Sequence, residues 1–166
     1  MTTIQRIDGR HLETYNPRDS KPGTEHQLLS ALAGDWQVSG HNFNGAGKPG
    51  SAVSGEAHYE WLPGGFFLVG RETARFDAQE HITMMVFSYD DQQPSHFVRF
   101  FDNGGFSRLY AVTIEARAWQ LAGKLERARI EFSEDRSSAR YYWERTQDDG
   151  KSWMALCEFI ATKLYR

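Results

Sequence analysis

Turn-forming segments divide most of this sequence into short pieces. Clusters of Gly, Pro, Asn and Asp interrupt aromatic and β-branched runs at "NGAGKPG", "LPGG", "DAQ", "DDQQP", "DNGG", "AGK", "SEDRS" and "DDG". Short runs of this composition, with turn residues between them, are typical of strands in an antiparallel meander. The spacing therefore predicts an all-β fold of about ten strands, closed as an up-and-down barrel or stacked as a sandwich.

One segment has helical character. "TEHQLLSALAG" begins with a capping box of Thr24 and Gln27, continues with spaced leucines and stops at Gly34. It predicts one short N-terminal helix. Residues 1–23 contain few apolar positions and predict an N-terminal arm, whereas residues 24–166 predict a single barrel domain. A chain of 166 residues can bury a core without disulfides or metals.

Composition narrows the function classes. The net charge is -3, and acidic and basic residues alternate along the chain. This pattern predicts neither a nucleic-acid partner nor a membrane partner. The start carries no apolar signal region, and Cys157 is a single cysteine, so we expect a reduced, cytoplasmic protein without an internal disulfide. Cys157 is expected to be a packing residue rather than a reactive thiol.

The segment "HYEWLPGGFFLVGRE" predicts a hairpin turning at Pro63. An even-length turn places Tyr59 and Trp61 on one face together with Leu68 and Glu72. Glu72 is thus a carboxylate on an otherwise apolar, inward face.

Charge pairing indicates the register of the later strands. The turn at "EDRS" places Arg127 opposite Glu144 and Glu131 opposite Arg140. The reverse, inner face then carries Ala128, Ile130, Phe132, Ala139, Tyr141 and Trp143, and it places Glu126 across from Arg145. Continuing through "DDG" predicts Arg140 beside Glu158, Trp143 beside Ala155, and an inner face that begins at Trp153 and reaches Lys163.

Alternating turns separate the inward polar residues into two ends. Glu72, Glu126 and Arg145 map to an open mouth, and Trp36, Trp61 and Lys163 map to a floor. This predicts a barrel that binds a small organic ligand. The expected ligand-binding residues are Glu72, Glu126, Arg145, Tyr59, Tyr141, Trp143 and Phe132. Arg145 would favour a ligand with an anionic or carbonyl-bearing head, and Glu72 would favour a ligand with a hydrogen-bond donor. In the alternative interpretation, Arg145 only neutralises Glu126 and holds the mouth together.

The stretch "LLSALAGDWQVSG" resembles the opening of lipocalin and calycin barrels. "EWLPGGFFLVGRE" followed by "FSYDD" is similar to an uncharacterised bacterial family of lipocalin-like barrels. The resemblance implies a barrel with a cavity, with Trp36 closing the floor and a basic last-strand residue lying across it. Lys163 has that position, although Arg is usual. The family implies no reaction.

Histidine placement bears on cofactors. The haem-binding barrels called nitrobindins use an axial imidazole from the last strands, but the last of the six histidines here is His96. No histidine lies at metal-ligand spacing with another His or a Cys. We therefore expect no cofactor and no metal. His58 is expected on the outer face, and His81 lies near the mouth as a surface residue or a ligand contact.

Several alternatives remain open. "GAGKPG" matches a dinucleotide fingerprint in letters, but a strand follows it, so a hairpin loop is favoured. The protein is alternatively an isomerase or hydrolase using Glu72 or Glu126 as general acid/base, or an interaction module with a filled barrel.

The hairpin "SHFVRFFDNGGFSRLY" allows two turn lengths, and like-charge repulsion favours a three-residue turn that separates Arg99 from Arg108. The aromatic residues Phe97, Phe101, Phe106 and Tyr110 form either core or an exposed face for a homodimer.

Overall fold

The computed structural model describes residues 21–165. Its helical part is α1 (Thr24–Leu28), which runs into a turn of 3-10 helix at Leu29–Ala31. The predicted capping box is wrong, because the helix begins one residue earlier than that motif requires: Gly23 is the N-cap, and no side chain caps it. The predicted N-terminal arm lies mostly outside the described residues. No described helix is long and apolar enough to cross a membrane.

Ten strands form one closed antiparallel barrel, which confirms the predicted fold class. Neighbours in sequence are neighbours in the barrel, and β1 closes it against β10. The strands are β1 (Gly34–Phe43), β2 (Pro49–Trp61), β3 (Leu68–Phe76), β4 (Gln79–Asp90), β5 (Ser95–Asp102), β6 (Ser107–Glu115), β7 (Ala118–Ala122), β8 (Glu126–Phe132), β9 (Ser138–Arg145) and β10 (Met154–Leu164). The segment "GAGKPG" lies in the β1–β2 hairpin rather than before a helix.

The predicted registers of two hairpins are confirmed. On β2 and β3, Tyr59 pairs with Gly70 and Ala57 with Glu72, which places Glu72 on the inner face. On β8 and β9, Arg127 pairs with Glu144, and their side chains form an ion pair of 2.6 Å. Alternation of side chains along each strand then fixes which residues face the interior.

The register at β10 differs from the prediction. Trp143 pairs with Cys157 rather than Ala155, a difference of two residues. The β9–β10 turn accounts for one of them, since Ala155 pairs with Glu144, and a bulge between Ala155 and Cys157 adds the other. Trp153 does not begin the inner face; its ring lies 4.3 Å from the exposed Arg127 guanidinium. The expected contact of Arg140 with Glu158 exists, but it runs diagonally, at 2.8 Å, since Arg140 pairs with Ile160.

The β5–β6 hairpin has the predicted three-residue turn. Asp102 N–H donates to the Phe106 carbonyl at 3.1 Å, and Arg99 pairs with Leu109 rather than with Arg108. The hairpin aromatics divide between two environments: Tyr110 is buried in the core, whereas Phe106 is exposed at the turn.

The end of the barrel next to α1 is closed by packed side chains. Trp36 is fully buried, and its indole Nε1 donates to the Leu32 carbonyl at 2.6 Å. The Lys163 ammonium lies 5.2 Å from the centre of the Trp36 ring, and Trp61 is partly buried against the core. Trp36 and Lys163, two of the three residues expected at the floor, therefore meet at this end.

Candidate functional site

A cavity of about 800 Å³ occupies the other half of the barrel. It reaches the β3–β4 and β5–β6 turns, where Gln79 and Asn103 line it, and descends to Phe87 and Ile130. Small-molecule pockets begin at about 300 Å³, so the space is large enough for a sizeable organic ligand. The interior is not filled by its own side chains, contrary to the filled-barrel alternative.

Glu72 lies on the inner face of β3 and lines this cavity. No hydrogen bond or ion pair joins its carboxylate to any other residue between 21 and 165. Its neighbours across the adjacent strands are Ala57 and Thr83, neither of which carries a charge. Burial raises the pKa of Glu72 from 4.5 to about 7, because the carboxylate gives up water without gaining a partner.

Two tyrosines line the cavity together with Glu72. The Tyr59 hydroxyl donates to Met85 Sδ at 3.7 Å, and Tyr141 stacks on Phe159 with ring centres 4.6 Å apart. Burial, and then the charge on Glu72, raises the pKa of Tyr141. Burial is also the largest cause of the raised pKa of Tyr59. Both hydroxyls therefore stay protonated near neutral pH, and that of Tyr141 can donate a hydrogen bond into the cavity.

Gly70 leaves room for the Tyr59 ring beside β3. A Cβ at Gly70 would overlap the ring of Tyr59 on the neighbouring strand. A larger residue at this position would therefore push the ring toward the cavity.

A second charged group stands at the mouth. The Asp102 side chain is only 2% exposed, and it accepts hydrogen bonds from Gly104 N–H at 2.9 Å, Phe106 N–H at 3.0 Å and Arg108 Nη1 at 2.6 Å. Burial alone would raise the pKa of Asp102, but these hydrogen bonds outweigh it and lower the pKa below the usual range. Asp102 is therefore held as an anion that fixes Arg108 in place.

Arg108 also forms an ion pair with Glu126. The Arg108 Nε atom lies 3.5 Å from Glu126 Oε2, and the Tyr110 hydroxyl donates to the same oxygen at 2.7 Å. Burial and this hydrogen bond raise the pKa of Tyr110. Unlike Glu72, Glu126 thus has two protein partners, and the guanidinium of Arg108 is shared between two carboxylates.

His81 lines the cavity beside this group. Its Nε2 lies 3.6 Å from Asp102 Oδ2, and its Nδ1 lies 3.3 Å from the Thr83 hydroxyl. The side chain is 44% exposed, so it stands at the rim.

Two of the expected ligand-binding residues do not line the cavity. Arg145 pairs with Glu126 in the strand register, but it is the last residue of β9 and its side chain is exposed. Glu126 lies beside Arg108 instead, which is on β6, the strand on the other side of β7 from β8. Phe132 is buried against Trp119, with ring centres 5.2 Å apart, at the closed end of the barrel.

An aromatic wall forms the remaining side of the cavity. Phe100, Tyr110 and Trp143 meet edge to face, with ring centres between 5.0 and 5.8 Å apart. Phe100 and Tyr110 were not among the expected site residues. The alternation of β5 and β6 would have placed both inside once the turn length was known.

Cys157 also lines the cavity, on β10, where it pairs with Trp143 of this wall. Burial, followed by the charges of Glu72 and Glu126, raises the pKa of its thiol to about 12. A thiol with so high a pKa is a poor nucleophile near neutral pH. Within residues 21–165, no three His, Cys, Asp or Glu side chains are grouped closely enough to hold a metal ion.

Residues 21–154 match the model of a family described as "Protein of unknown function (DUF1579)". The chain belongs to this family. No curated protein matches the sequence. The predicted membership of an uncharacterised family with a lipocalin-like barrel is confirmed.

Two solved structures have a similar fold. The crystal structure of Rv2717c from M. tuberculosis is 14% identical, with 86% of this chain and 99% of that chain covered and a TM-score of 0.60. The S-type phycobiliprotein lyase CPES from Guillardia theta is 11% identical, with coverage of 86% and 93% and a TM-score of 0.50. At these identities the likeness concerns the fold alone.

Proposed function

We propose that this barrel binds a small organic molecule in its interior. The observation that carries the proposal is the Glu72 carboxylate, which lines a cavity of about 800 Å³ and has no hydrogen-bond or ion-pair partner among residues 21–165. A half-buried carboxylate without a partner is unfavourable for stability, and a ligand that pairs with it would remove this cost.

The arrangement of the cavity indicates how such a ligand lies. Its polar head is placed at Glu72, and the Tyr141 hydroxyl, which lines the same cavity, offers a further hydrogen bond. Its apolar body packs on the wall of Phe100 and Trp143. A barrel of similar fold serves as a phycobiliprotein lyase, which supports a role in handling a small molecule. We also propose a reducing, cytoplasmic compartment, for which the single Cys157 is the support.

A thermal-unfolding screen tests the proposal. A ligand that binds only the native state raises the melting temperature by mass action. The screen uses small organic molecules with aromatic or aliphatic bodies and acidic, neutral or basic heads. Hits are then titrated calorimetrically against wild type, against Cys157→Phe, which fills part of the cavity, and against Leu109→Phe at an outer position that is 53% exposed.

We expect stoichiometric binding to wild type and to Leu109→Phe, and an affinity at least about tenfold lower for Cys157→Phe. Circular dichroism verifies that both variants fold. Equal affinity in all three proteins, or the absence of any stoichiometric hit, would contradict interior binding.

A second candidate function is general acid/base catalysis by Glu72. The supporting observation is the position of Glu72 on the inner face of β3, where its carboxyl group lines the cavity. Burial raises its pKa to about 7, so that this group can both accept and donate a proton near neutral pH. Hits from the screen are incubated with wild type and with Glu72→Gln, and their masses and retention times are followed. Catalysis predicts conversion by wild type and none by Glu72→Gln, whereas chemically unchanged hits would leave binding alone.

A further inference from the structure

We propose that the ligand carries a positively charged amino group that is held by Glu72 and attached to an aromatic or other apolar body. This inference rests on the proposed function, because it specifies the class of molecule that occupies the same cavity. It also replaces the sequence-based expectation of an anionic or carbonyl head, which depended on Arg145.

The charges around the cavity are predominantly negative. Four carboxylates line it, from Glu72, Glu80, Asp102 and Glu126, against one guanidinium, from Arg108. Glu80 has a partner on the outside, since it lies 3.5 Å from Arg75. Two negative charges therefore remain uncompensated, one at Glu72 and one shared by Asp102 and Glu126, which divide the single guanidinium of Arg108 between them.

The positive charge of Arg108 is already shared between two anions. Its Nη1 donates to Asp102 at 2.6 Å, and its Nε lies 3.5 Å from Glu126. A carboxylate or phosphate that approached Arg108 would therefore meet the field of both carboxylates. No other Lys or Arg of residues 21–165 lines the cavity. Anionic heads are thus disfavoured by the charges around the cavity.

The surroundings of Glu72 fit an ammonium group. A protonated amine forms a charge-assisted hydrogen bond with a carboxylate, about twice as strong as a neutral one, and removes the penalty of an unpaired, half-buried charge. Tyr59 and Tyr141 line the same cavity as Glu72, and the faces of aromatic rings attract cations. The wall formed by Phe100, Tyr110 and Trp143 then accommodates an apolar body.

Three probes that differ only in their heads test the inference. Naphthylethylamine, naphthylethanol and naphthylacetate present a cation, a neutral hydroxyl and an anion on the same ring system. Calorimetric titration is performed at about pH 8, where the Glu72 carboxyl is mostly ionised and the amine is still protonated. The proteins are wild type, Glu72→Gln and Glu56→Gln, the last removing an exposed carboxylate on the outer face of β2.

For wild type and Glu56→Gln, we expect the amine to bind about 10- to 100-fold more tightly than the alcohol, with the carboxylate weakest. In Glu72→Gln this preference should fall to about threefold or less, while the alcohol keeps its affinity. That pattern assigns the preference to the charge of Glu72 rather than to the fold.

Equal binding of the three probes, or tighter binding of the carboxylate, would overturn the amine inference and leave interior binding intact. An amine preference that persists in Glu72→Gln would overturn the role of Glu72. If none of the probes binds while the library screen yields interior ligands with neutral or acidic heads, the inference fails and the proposed function stands. If neither experiment yields a ligand, both the amine inference and the proposed function fail.

Discussion

Replacing Glu72 with Gln should stabilise the protein, and the gain should grow with pH. The amide keeps the size of the side chain but cannot ionise. The pKa of Glu72 rises from 4.5 to about 7 in the fold, and each pKa unit corresponds to about 1.4 kcal/mol, which gives an upper value of about 3 kcal/mol. Water in the cavity reduces this penalty, so we expect a gain in unfolding free energy of about 1–3 kcal/mol above neutral pH.

The direction follows from proton linkage. Because the folded-state pKa is raised, the native state holds its proton more tightly than the unfolded state does. The wild-type protein therefore loses stability as pH rises from 4.5 to about 7, after which the loss is complete. Urea unfolding followed by tryptophan fluorescence, at several pH values between about 4 and 8, measures the difference between Glu72→Gln and wild type across this window.

Glu56→Gln is the matched control, since Glu56 is exposed on the outer face of the neighbouring strand. It should change the unfolding free energy by about 0.5 kcal/mol or less at every pH. A Glu72→Gln variant that is less stable than wild type at about pH 8, or a difference that does not change with pH, would refute the reasoning. Either result would mean that the carboxylate of Glu72 is well satisfied in the fold.

Three further predictions concern the residues around the cavity. Gly70→Ala should lower the unfolding free energy by about 1–3 kcal/mol and weaken ligand binding, because the added methyl group displaces the Tyr59 ring; unchanged affinity in a titration would contradict this. Asp102→Asn should cost about 2–3 kcal/mol near neutral pH by weakening the charged hydrogen bond from Arg108. Because the pKa of Asp102 is lowered in the fold, this cost should shrink as pH falls below the ordinary value of 3.8, and a pH-independent cost in urea unfolding would argue against an ionised Asp102. Cys157 should react with iodoacetamide at about pH 8 at least about 100-fold more slowly in the native than in the unfolded protein, since burial raises its pKa to about 12; equal rates by mass spectrometry would count against a buried thiol.

Much of the architecture could be predicted because a β-strand alternates its faces strictly. Turn length at "LPGG" and charge pairs on β8 and β9 were enough to place Glu72 and Tyr141 inside. A one-residue change in register would have moved each of them to the outer face. Where a turn or a charge pair defined the register, the interior could be read from the sequence.

The rest of the strand register and of the cavity lining depends on features that leave no periodic signal in the sequence. The β9–β10 turn and the bulge in β10 each shift the register by one residue, and nothing in the alternation of β10 marks either, so the sequence predicts Trp143 beside Ala155 instead of Cys157. Arg145 and Phe132 are both at positions that alternate toward the inside of the barrel, but each is the last residue of its strand. The Arg145 side chain is therefore exposed to solvent at the mouth, and the Phe132 side chain is buried at the closed end, so neither lines the cavity. Depth along the barrel axis depends on strand stagger, which a single sequence does not specify.

Native mass spectrometry of the protein, purified gently from its own host and then denatured, tests most directly whether the barrel holds a small molecule. Interior binding predicts a stoichiometric adduct on the folded protein that is released on denaturation and is absent from Cys157→Phe. The amine inference further predicts that the released molecule carries a basic nitrogen on an apolar body. A folded wild-type protein with the mass of the chain alone, or an adduct that Cys157→Phe retains in full, would contradict a ligand in this cavity.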